Sequence, residues 1–581
     1  MDDGAPVAHG SDCVSKQQSE QPAGKLATPS QRRYHRVVQA TVLLLSSALA
    51  FGSNFCYHNP AALKNQLQQH FSYTVEKNEF EMLFNMLYTL YSTPNIVLPF
   101  LGGFLVDRIG AQQMLLLLTS FVLIGQSIMA FGCTVSSFRL MLIGRIIFGF
   151  GGESLGVART TFISTWFKKR DLALALGIGG SFSGLGGILN SVLSPYFADA
   201  FGVSFALWFG AIACAGSMMA TVVLIPIDRA AQSACPHTLP NGQPRVQLQS
   251  SSIKLGDIKH FGSVFWLILV ACVSVWGSII PFQTVAGSML MERDYFRAPP
   301  LECQRCGDGN YASYTNCHEI VPSCPPFPPY AWPLPKMAAS CDITREADQL
   351  NCKTDAPYIE DSAINCDNLM WKTGPLTQLY CAKKILAEEE ASNVMSLPSM
   401  ITLIASPIFG YVAGRIPDRG WITLLASGCL VVSQFLIATT SVSIWTLLFV
   451  QGAASCLFFS SAWPSIPYVV EEHHVGTAYG AIIALGNLVL AVLPIVVAGV
   501  YRIRETYLPT VQLLLTGVGC VSFLSCGMLY VLESKHGRLL NPQTPYIQRA
   551  RRVSQTGSVW GSTPATSPSN SEYDRLLARP D

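Results

Sequence analysis

The chain has 581 residues, of which 50% are hydrophobic and only 13% are charged, and its mean hydropathy is +0.34. Soluble globular proteins carry about 25% charged residues, so this composition excludes a chain built only of soluble domains, and its apolar content excludes disorder throughout. The net charge of +2 offers no basic surplus for binding nucleic acid. A membrane protein with several spans is the class that remains.

Twelve runs of the chain are apolar and long enough to cross a bilayer, which takes about 20 residues as a helix. In chain order they cover 37–57, 80–104, 112–132, 138–166, 172–195, 203–226, 262–287, 393–413, 420–440, 443–468, 476–500 and 508–532. Residues 1–36 are polar, show no signal-peptide cleavage site and are predicted to be a disordered tail. The sequence therefore predicts an all-α membrane protein with twelve transmembrane helices.

Basic residues collect in segments that lie on one side of the membrane if there are twelve spans. These segments are the end of the N-terminal tail, the loop after the fourth span, the loop with Arg415 and Arg419, and the C-terminal tail, 534–581. The positive-inside rule makes this side cytoplasmic. The polar linker 227–261 is then cytoplasmic too, and it separates an N-terminal bundle, 37–226, from a C-terminal bundle, 262–533, of six helices each.

Residues 288–392, between the seventh and eighth spans, fall on the opposite, lumenal side and hold eight of the eighteen cysteines. An even number of cysteines in such a loop predicts four disulfide bonds, whose pairing the spacing does not reveal. The CxxC spacing of the first two leaves zinc as the alternative, but the oxidising compartment favours disulfides. The eight are Cys303, Cys306, Cys317, Cys324, Cys341, Cys352, Cys366 and Cys381.

The loops after the second and eighth spans share the frame G-xxx-[D/G]-R-I, which indicates an internal duplication. Small residues let helix ends approach, a carboxylate can face the positive end of a neighbouring helix, and an arginine can pair across the bundle. We therefore expect a latch that closes the cytoplasmic side, weaker in the second copy because that copy lacks the acid. The predicted gating residues are Gly103, Asp107, Arg108, Gly110 and Arg415.

The first of these loops resembles a signature of the major facilitator superfamily, and Arg145-xxx-Gly149-x-Gly151 resembles the fourth-helix motif of that superfamily. The chain is most similar to its lysosomal dipeptide transporter branch. The residues that carry this resemblance are Cys56-Tyr-His-Asn-Pro60-Ala-Ala-Leu63, Gly151-Gly-Glu153-Ser-Leu155, Ser164-Thr-Trp166-Phe-Lys168, Ala462-Trp463-Pro464 and Gly476-Thr-Ala-Tyr-Gly480. The resemblance implies two six-helix bundles around a midplane site, which is exposed to either side in turn.

The resemblance also implies roles for two positions of the site. Glu153 would bind the amino group of the substrate, and an arginine on the fifth helix would bind its carboxylate. In this sequence the place of that arginine falls at about Gly184, and the fifth span has no basic residue. This departure bears directly on dipeptide specificity.

Three ionisable residues lie deep in spans, all of them in the fourth, and such residues suggest function because their insertion is unfavourable. Glu153 is central and flanked by small residues, which predicts contact with a ligand ammonium. Arg145 either pairs with backbone carbonyls or takes the substrate anion, although at 100° per residue it lies about 80° around the helix from Glu153. Arg159 is expected to reach the cytoplasmic surface with its long side chain.

Polar and aromatic residues at membrane depth complete the predicted substrate site. Three of them recur at i, i+3 and i+7 on the second span and so share one helix face. For each residue, helix–helix hydrogen bonding or interfacial anchoring is the alternative role. With Glu153 and Arg145, the set comprises Asn54, Tyr57, Tyr88, Tyr91, Asn95, Asn190, Trp276, Gln283, Trp463 and Asn487.

The C-terminal tail carries a candidate sorting signal. Glu572 and the pair Leu576–Leu577 fit an acidic dileucine pattern, E-xxx-L-L, and Tyr573 with Leu576 fits an overlapping tyrosine pattern. In a cytoplasmic tail this segment is accessible to a clathrin adaptor. It predicts residence in lysosomes or endosomes, with the plasma membrane as the alternative.

These features predict a transporter of small amino-group-bearing solutes, most simply a dipeptide or an amino acid, in a lipid bilayer. A uniporter is the simplest mechanism, because the ligand ammonium would occupy the single mid-depth acid and leave no proton relay. The alternatives are a non-transporting scaffold or receptor that acts through the lumenal loop, and a proton-coupled carrier of another organic solute. A lumenal accessory subunit is a further candidate partner. No enzyme activity, cofactor, metal or nucleic-acid partner is predicted.

Overall fold

The computed structural model describes residues 29–72, 77–168, 170–233, 255–295, 364, 366, 368–374, 377–416, 418–504 and 506–536. Within these ranges eleven helices are long and apolar enough to cross a membrane, and one bent pair of helices makes a twelfth span. The predicted all-α membrane fold with twelve spans is confirmed. The C-terminal sorting signal and the loop cysteines from Cys303 to Cys352 lie outside the described residues.

The first six spans form one bundle. They are α1 (Pro29–Ala62), α2a (Lys77–Ser92) with α2b (Leu98–Ile109), α3 (Ala111–Thr134), α4 (Phe138–Trp166), α5 (Arg170–Phe201) and α6 (Val203–Ser233). Helix α3 packs against α4 and α6, and α1 packs against α5 and α6. Their apolar side chains make the core of this N-terminal bundle.

The last six spans form the second bundle. They are α7 (Ser263–Leu290), α8 (Gln378–Arg415), α9 (Arg419–Thr439), α10 (Ile444–Ala462), α11 (Val475–Arg504) and α12 (Thr510–His536). Helix α9 packs against α10 and α12, α7 against α12, and α8 against α10. The pairings of α9 with α10, α9 with α12 and α7 with α12 repeat those of α3 with α4, α3 with α6 and α1 with α6 in the first bundle, as the duplicated loop frame predicts.

The second span is broken where two prolines follow each other closely. Pro94 begins a short 3₁₀ turn, Pro94–Ile96, and Pro99 lies in the first turn of α2b. Proline has no amide hydrogen to continue a helical ladder, and the two halves meet at a 49° bend. Tyr91 lies in the last turn of α2a, and Asn95 lies within the break itself.

Several helices extend beyond the apolar runs that predict them. Helix α1 begins at Pro29 rather than residue 37, and α8 begins at Gln378 rather than residue 393. Hydropathy detects only the segment that lies in hydrocarbon, whereas the Ala-, Lys- and Glu-rich start of α8 is a good helix former that is too polar to register. In the first turn of α8, Cys381 forms a disulfide bond with Cys366, one of the predicted four.

The two bundles touch through α2 with α11 and through α5 with α8. A Cβ atom on Gly103 of α2b would lie 2.1 Å from the carbonyl oxygen of Gly476 on α11, and one on Gly177 of α5 would lie 2.5 Å from the carbonyl oxygen of Ser406 on α8. These contacts lie toward the face that the positive-inside rule assigns to the cytoplasm, which we call the cytoplasmic face. The opposite face is called the outer face.

Candidate functional site

Glu153 lies at mid-height on α4 and is half-buried. Its Oε1 accepts a hydrogen bond from the Tyr91 hydroxyl at 3.1 Å. Val157, one turn closer to the cytoplasmic face, packs into the apolar core of the second bundle. Residues four apart share a helix face, so Glu153 lies on the face of α4 that is turned toward the second bundle. A Cβ atom on Gly156, about one turn closer to the cytoplasmic face, would meet nothing within 4 Å, so open space lies beside α4 at that residue.

Three tyrosines gather on the outer side of Glu153. The ring of Tyr57 lies 5.0 Å from that of Tyr91 and 6.0 Å from that of Tyr88. The Tyr88 hydroxyl accepts a hydrogen bond from the backbone amide of Ala61 at 2.9 Å. The structure therefore brings together the predicted tyrosines of α1 and α2a. The hydroxyl of one of them, Tyr91, donates to the Glu153 carboxylate.

Arg145 is buried between α4 and α1, next to these tyrosine rings. Its guanidinium is fully buried and donates to the backbone carbonyls of Cys56 at 3.1 Å and Tyr57 at 2.6 Å. The carbon of the guanidinium lies 5.6 Å from the centre of the Tyr88 ring and 5.8 Å from that of Tyr91. These contacts favour the carbonyl-pairing role over contact with a substrate anion.

Helix α5 contributes a hydroxyl at Ser183 and unfilled space at Gly184. Asn54 of α1 donates to the hydroxyl of Ser183 on α5. The next residue, Gly184, continues the face of α5 on which Gly177 and Gly180 contact Ser406 of α8. A Cβ atom on Gly184 would meet nothing within 4 Å, so α8 does not pack against α5 at this residue.

Arg159 does not reach the cytoplasmic surface, and that prediction is wrong. Its Nη1 donates to the backbone carbonyl of Gly179 on α5 at 3.0 Å. Side chains on a helix tilt toward its N-terminus, and the N-terminus of α4 is at the outer face. The long side chain of Arg159 therefore points away from the cytoplasmic face, toward the level of Glu153. A prediction that considered only the length of the side chain missed this direction.

The second bundle contributes an aromatic wall. Trp276 of α7 stacks on Phe459 of α10 with ring centres 5.6 Å apart, and its ring lies 5.5 Å from that of Trp463. The hydroxyl of Tyr479 on α11 donates to the backbone carbonyl of Trp463 at 3.1 Å, and this tyrosine is fully buried. The two predicted tryptophans are thus neighbours. Phe459 and Tyr479, which were not predicted from the sequence, hold them in place.

One predicted pair joins the two bundles at mid-height. The side-chain amide of Asn487 on α11 donates to the backbone carbonyl of Asn95 at 2.8 Å, and the Asn95 amide donates to the carbonyl of Tyr91 at 2.8 Å. Asn95 is buried, and its side chain belongs to the broken segment of α2. This link connects the turn beside Tyr91 to the second bundle.

Two predicted residues lie apart from this cluster. Asn190 is fully buried between α1 and α5, where its amide donates to Asn59 and, at 2.9 Å, to Ser194. Gln283 is exposed on α7, about two turns beyond Trp276. The contacts of Asn190 are those of helix–helix packing, the alternative that the sequence left open.

Asp107 connects the bundles at the cytoplasmic face. Its carboxylate accepts hydrogen bonds from the backbone amides of Gly476 at 2.8 Å and Thr477 at 2.6 Å, and from the Thr477 hydroxyl at 2.6 Å. These amides are in the first turn of α11, where the helix dipole favours a negative charge. Lys168 and Glu472 add an ion pair between the bundles at 3.0 Å. Together we call these contacts the cytoplasmic latch.

The other predicted gating residues lie at the cytoplasmic ends of α2b and α8. Arg108 is exposed, and Gly110 adopts a φ of +103° between α2b and α3, a conformation that favours glycine. In the second copy of the loop, the Arg415 guanidinium lies 4.0 Å from the centre of the Tyr411 ring. The second copy thus makes a contact within its own helix, α8.

Arg419, expected in the loop after α8, is instead fully buried at the start of α9. It donates to the backbone carbonyl of Pro464 at 3.2 Å, and the adjacent amide of Gly420 donates to the carboxylate of Glu533 at 3.0 Å. The equivalent end of the first bundle holds the buried Asp228, which accepts from Trp166 Nε1 at 2.8 Å. Each bundle thus has a buried carboxylate at the cytoplasmic end of its last helix.

Comparisons with known proteins agree with this architecture. The family described as Major Facilitator Superfamily matches residues 43–296 and 368–565. The human and mouse proteins named "Lysosomal dipeptide transporter MFSD1" are each 28% identical to the chain; the alignments cover 89% and 90% of this chain, and 90% and 92% of those proteins. The solved structure of the proton:xylose symporter XylE, 9% identical, has a TM-score of 0.53 and covers 89% of this chain and 100% of its own.

Proposed function

Because the chain belongs to the major facilitator superfamily, we propose that this membrane transporter carries small solutes with a free amino group. A dipeptide or an amino acid is the simplest such solute. The direction we propose is export from the lysosome, and the relatives named lysosomal dipeptide transporter support both the substrate class and the compartment.

The observation that carries this proposal is the position of Glu153. It is a carboxylate at membrane depth that accepts a hydrogen bond from the Tyr91 hydroxyl, on the face of α4 that is turned toward the second bundle. A buried carboxylate is most stable next to a cation. In the described part of the chain no ion pair is formed by Glu153, so its natural partner is the ammonium group of a ligand.

The proposed mechanism is alternating access. The latch through Asp107 joins the bundles at the cytoplasmic face, so this state would open the site to the outer face. Movement of the bundles would break the latch and open the site to the cytoplasm. Gly103, Arg108, Gly110 and Arg415, which lie around this interface, belong to the proposed gate.

We further propose that transport is uniport. Glu153 is the one carboxylate at the centre of the described spans that faces the second bundle. A bound ammonium group would pair with this carboxylate. A proton-coupled cycle usually needs a second titrating group to take over the charge. The proton-coupled alternative requires Glu153 to alternate between proton and substrate.

A clathrin adaptor bound to Glu572, Tyr573, Leu576 and Leu577 would direct the protein to lysosomes. The disulfide-bonded loop would be the contact for a lumenal accessory subunit. Both partners are proposals from the sequence, since the C-terminal signal and most of the loop lie outside the described residues.

The test of the amine proposal is ligand binding to the purified full chain, measured as thermal stabilisation by dipeptides and amino acids. Saturating ligand at about 100 times Kd stabilises a protein by about 2.7 kcal/mol. Glu153→Gln, which removes the charge at nearly the same shape, should lose the stabilisation by free amines. Glu389→Gln, on the exposed start of α8, is the matched control and should keep it. Stabilisation of Glu153→Gln equal to that of the unaltered chain would contradict the proposal.

A further inference from the structure

The last turn before α11 is a 3₁₀ turn, Glu472–His474, at the cytoplasmic face. The backbone amide of His474 donates to the carbonyl of Glu471 at 2.9 Å and closes this turn. Side chains three residues apart are aligned in 3₁₀ geometry, so Glu471 and His474 lie on the same edge. The turn therefore gathers two histidines and a carboxylate within four consecutive residues.

Three potential metal ligands meet at this turn. His473 Nε2 lies 3.1 Å from Glu471 Oε2, and His474 Nδ1 lies 3.7 Å from the same oxygen. One ligand atom from each of the three residues lies within 4.8 Å of the others. A tetrahedral zinc ion binds nitrogen and oxygen at about 2.0–2.2 Å, which places neighbouring ligand atoms about 3.3–3.6 Å apart. The two separations from the carboxylate lie close to this range.

A residue of the linker faces the other side of His474. Asp257 lies in the 3₁₀ turn Leu255–His260, which precedes α7, and its Oδ2 lies 3.5 Å from His474 Nε2. His474 is 9% exposed, and its Nε2 makes no hydrogen bond. A histidine that binds a metal through Nδ1 carries its proton on Nε2 and usually donates it to a carboxylate or a carbonyl. Asp257 occupies the place of that acceptor.

An ion pair between a protonated His473 and Glu471 is the simpler explanation of the shorter distance. It does not account for His474, whose ring lies 4.2 Å from the ring of His473 and faces the same oxygen. Two protonated rings at this distance would repel each other. A metal ion binds both rings in their neutral form, so it satisfies both histidines at once.

The kinds of donor atom favour zinc. Two imidazole nitrogens with one carboxylate oxygen are typical of zinc sites, whereas calcium and magnesium prefer oxygen ligands alone. The side chains of Glu471 and His473 are 69% and 46% exposed, so an ion can enter from the cytoplasm and keep a water molecule as its fourth ligand. From the sequence alone no metal is predicted here, because Asp257 is remote from this turn along the chain.

We propose that Glu471, His473 and His474 form a cytoplasmic zinc site, in which Asp257 orients His474. The site lies next to the latch, since the intervening Glu472 is the residue that pairs with the first bundle. This inference does not depend on the identity of the transported solute.

The experiment measures zinc binding to the purified full chain after removal of metal with a chelator. Zinc is titrated in competition with a chromogenic chelator, and variants are compared because the cysteines of the chain also bind zinc. The exposed His473 should tolerate replacement, so His473→Gln should fold and should bind one zinc ion fewer per chain than the unaltered protein. Asp257→Asn should keep the site but lower its affinity about 10- to 100-fold, the usual effect of removing the partner of a metal-bound histidine.

Glu472→Gln is the matched control, because it removes a carboxylate of the same turn that is not one of the three ligands. It should bind as much zinc as the unaltered chain. Equal zinc stoichiometry and affinity in His473→Gln and the unaltered chain would overturn the proposal. Loss of the same zinc ion in Glu472→Gln would show only non-specific attraction to an acidic turn and would overturn it as well.

Discussion

The cytoplasmic latch allows a quantitative prediction for Asp107→Asn. The carboxylate accepts three hydrogen bonds from the start of α11, all between 2.6 and 2.8 Å. Asparagine is neutral and keeps one acceptor oxygen, so it loses at least one charged hydrogen bond and the favourable interaction with the helix dipole. Hydrogen bonds to charged groups contribute about 1.5–3 kcal/mol and the dipole about 0.3–1 kcal/mol. These contributions sum to about 2–4 kcal/mol, and from the lower part of this range we expect the state with a closed cytoplasmic face to lose about 2–3 kcal/mol of stability.

This loss is similar in size to the energy difference between the states of a transporter, which alternating access requires to be only a few kcal/mol. A penalty of 2–3 kcal/mol shifts the equilibrium about 30- to 160-fold. If the two states were equally populated, the closed cytoplasmic face would fall from half of the molecules to about 3% or less. The variant should therefore favour the state that is open to the cytoplasm.

The assay uses the ion pair between Lys168 and Glu472, whose side chains are 28% and 59% exposed. A carbodiimide joins a lysine and a glutamate that are in direct contact, and the joined peptides are identified by mass spectrometry. The initial rate of this cross-link should fall at least tenfold in Asp107→Asn. Asp199→Asn, exposed at the outer end of α5, is the control and should cross-link at the original rate. A folded Asp107→Asn protein with an unchanged rate would refute the latch.

Three further predictions address the site, the mechanism and the tail. Tyr91→Phe removes the hydroxyl that holds Glu153, so substrate affinity should fall about 2- to 10-fold without loss of folding; unchanged affinity in a binding titration would show that the tyrosine does not position the carboxylate. Proteoliposomes with a pH gradient and no substrate gradient should not accumulate substrate, and accumulation that collapses with a protonophore would show the uniport proposal to be wrong. Leu576→Ala with Leu577→Ala should move the protein from lysosomes to the cell surface in fluorescence microscopy, whereas an accidental pattern leaves its location unchanged.

The spans and their pairing into bundles could be predicted because hydropathy reports the hydrocarbon thickness directly. A count of twelve spans requires the two halves of the broken second span to be counted as one. Hydropathy does so because the two prolines at the break do not interrupt the apolar run. The ends of the helices were harder to predict from the sequence. Residues 378–392 carry charges that hide a helix from a hydropathy argument, although their helix propensity is a signal that could have extended α8.

The candidate site was partly accessible to sequence reasoning. The spacing of Tyr88 and Tyr91 placed them on one helix, whereas Asn95 lies in the turn that follows it. The small residues beside Glu153 predicted room that the structure does not show, since a Cβ atom on Gly151 would lie 2.5 Å from the Leu118 carbonyl oxygen and one on Gly152 would lie 2.6 Å from the Tyr91 hydroxyl. The roles of the two arginines depend on which helix lies next to each, and no single-helix pattern contains that information. The tilt of side chains toward the helix N-terminus was the signal that could have directed Arg159 away from the cytoplasm. The burial of Arg419 likewise depends on Pro464 and Glu533, which are remote in sequence.

The most direct test of the central claim is uptake of a labelled dipeptide into proteoliposomes that contain the unaltered chain, Glu153→Gln or Glu389→Gln. The account predicts uptake by the unaltered chain and by Glu389→Gln, competed by unlabelled dipeptide and not by its N-acetyl derivative, and uptake at the level of empty liposomes for Glu153→Gln. Uptake by Glu153→Gln at the rate of the unaltered chain, or equal competition by the N-acetyl derivative, would contradict it.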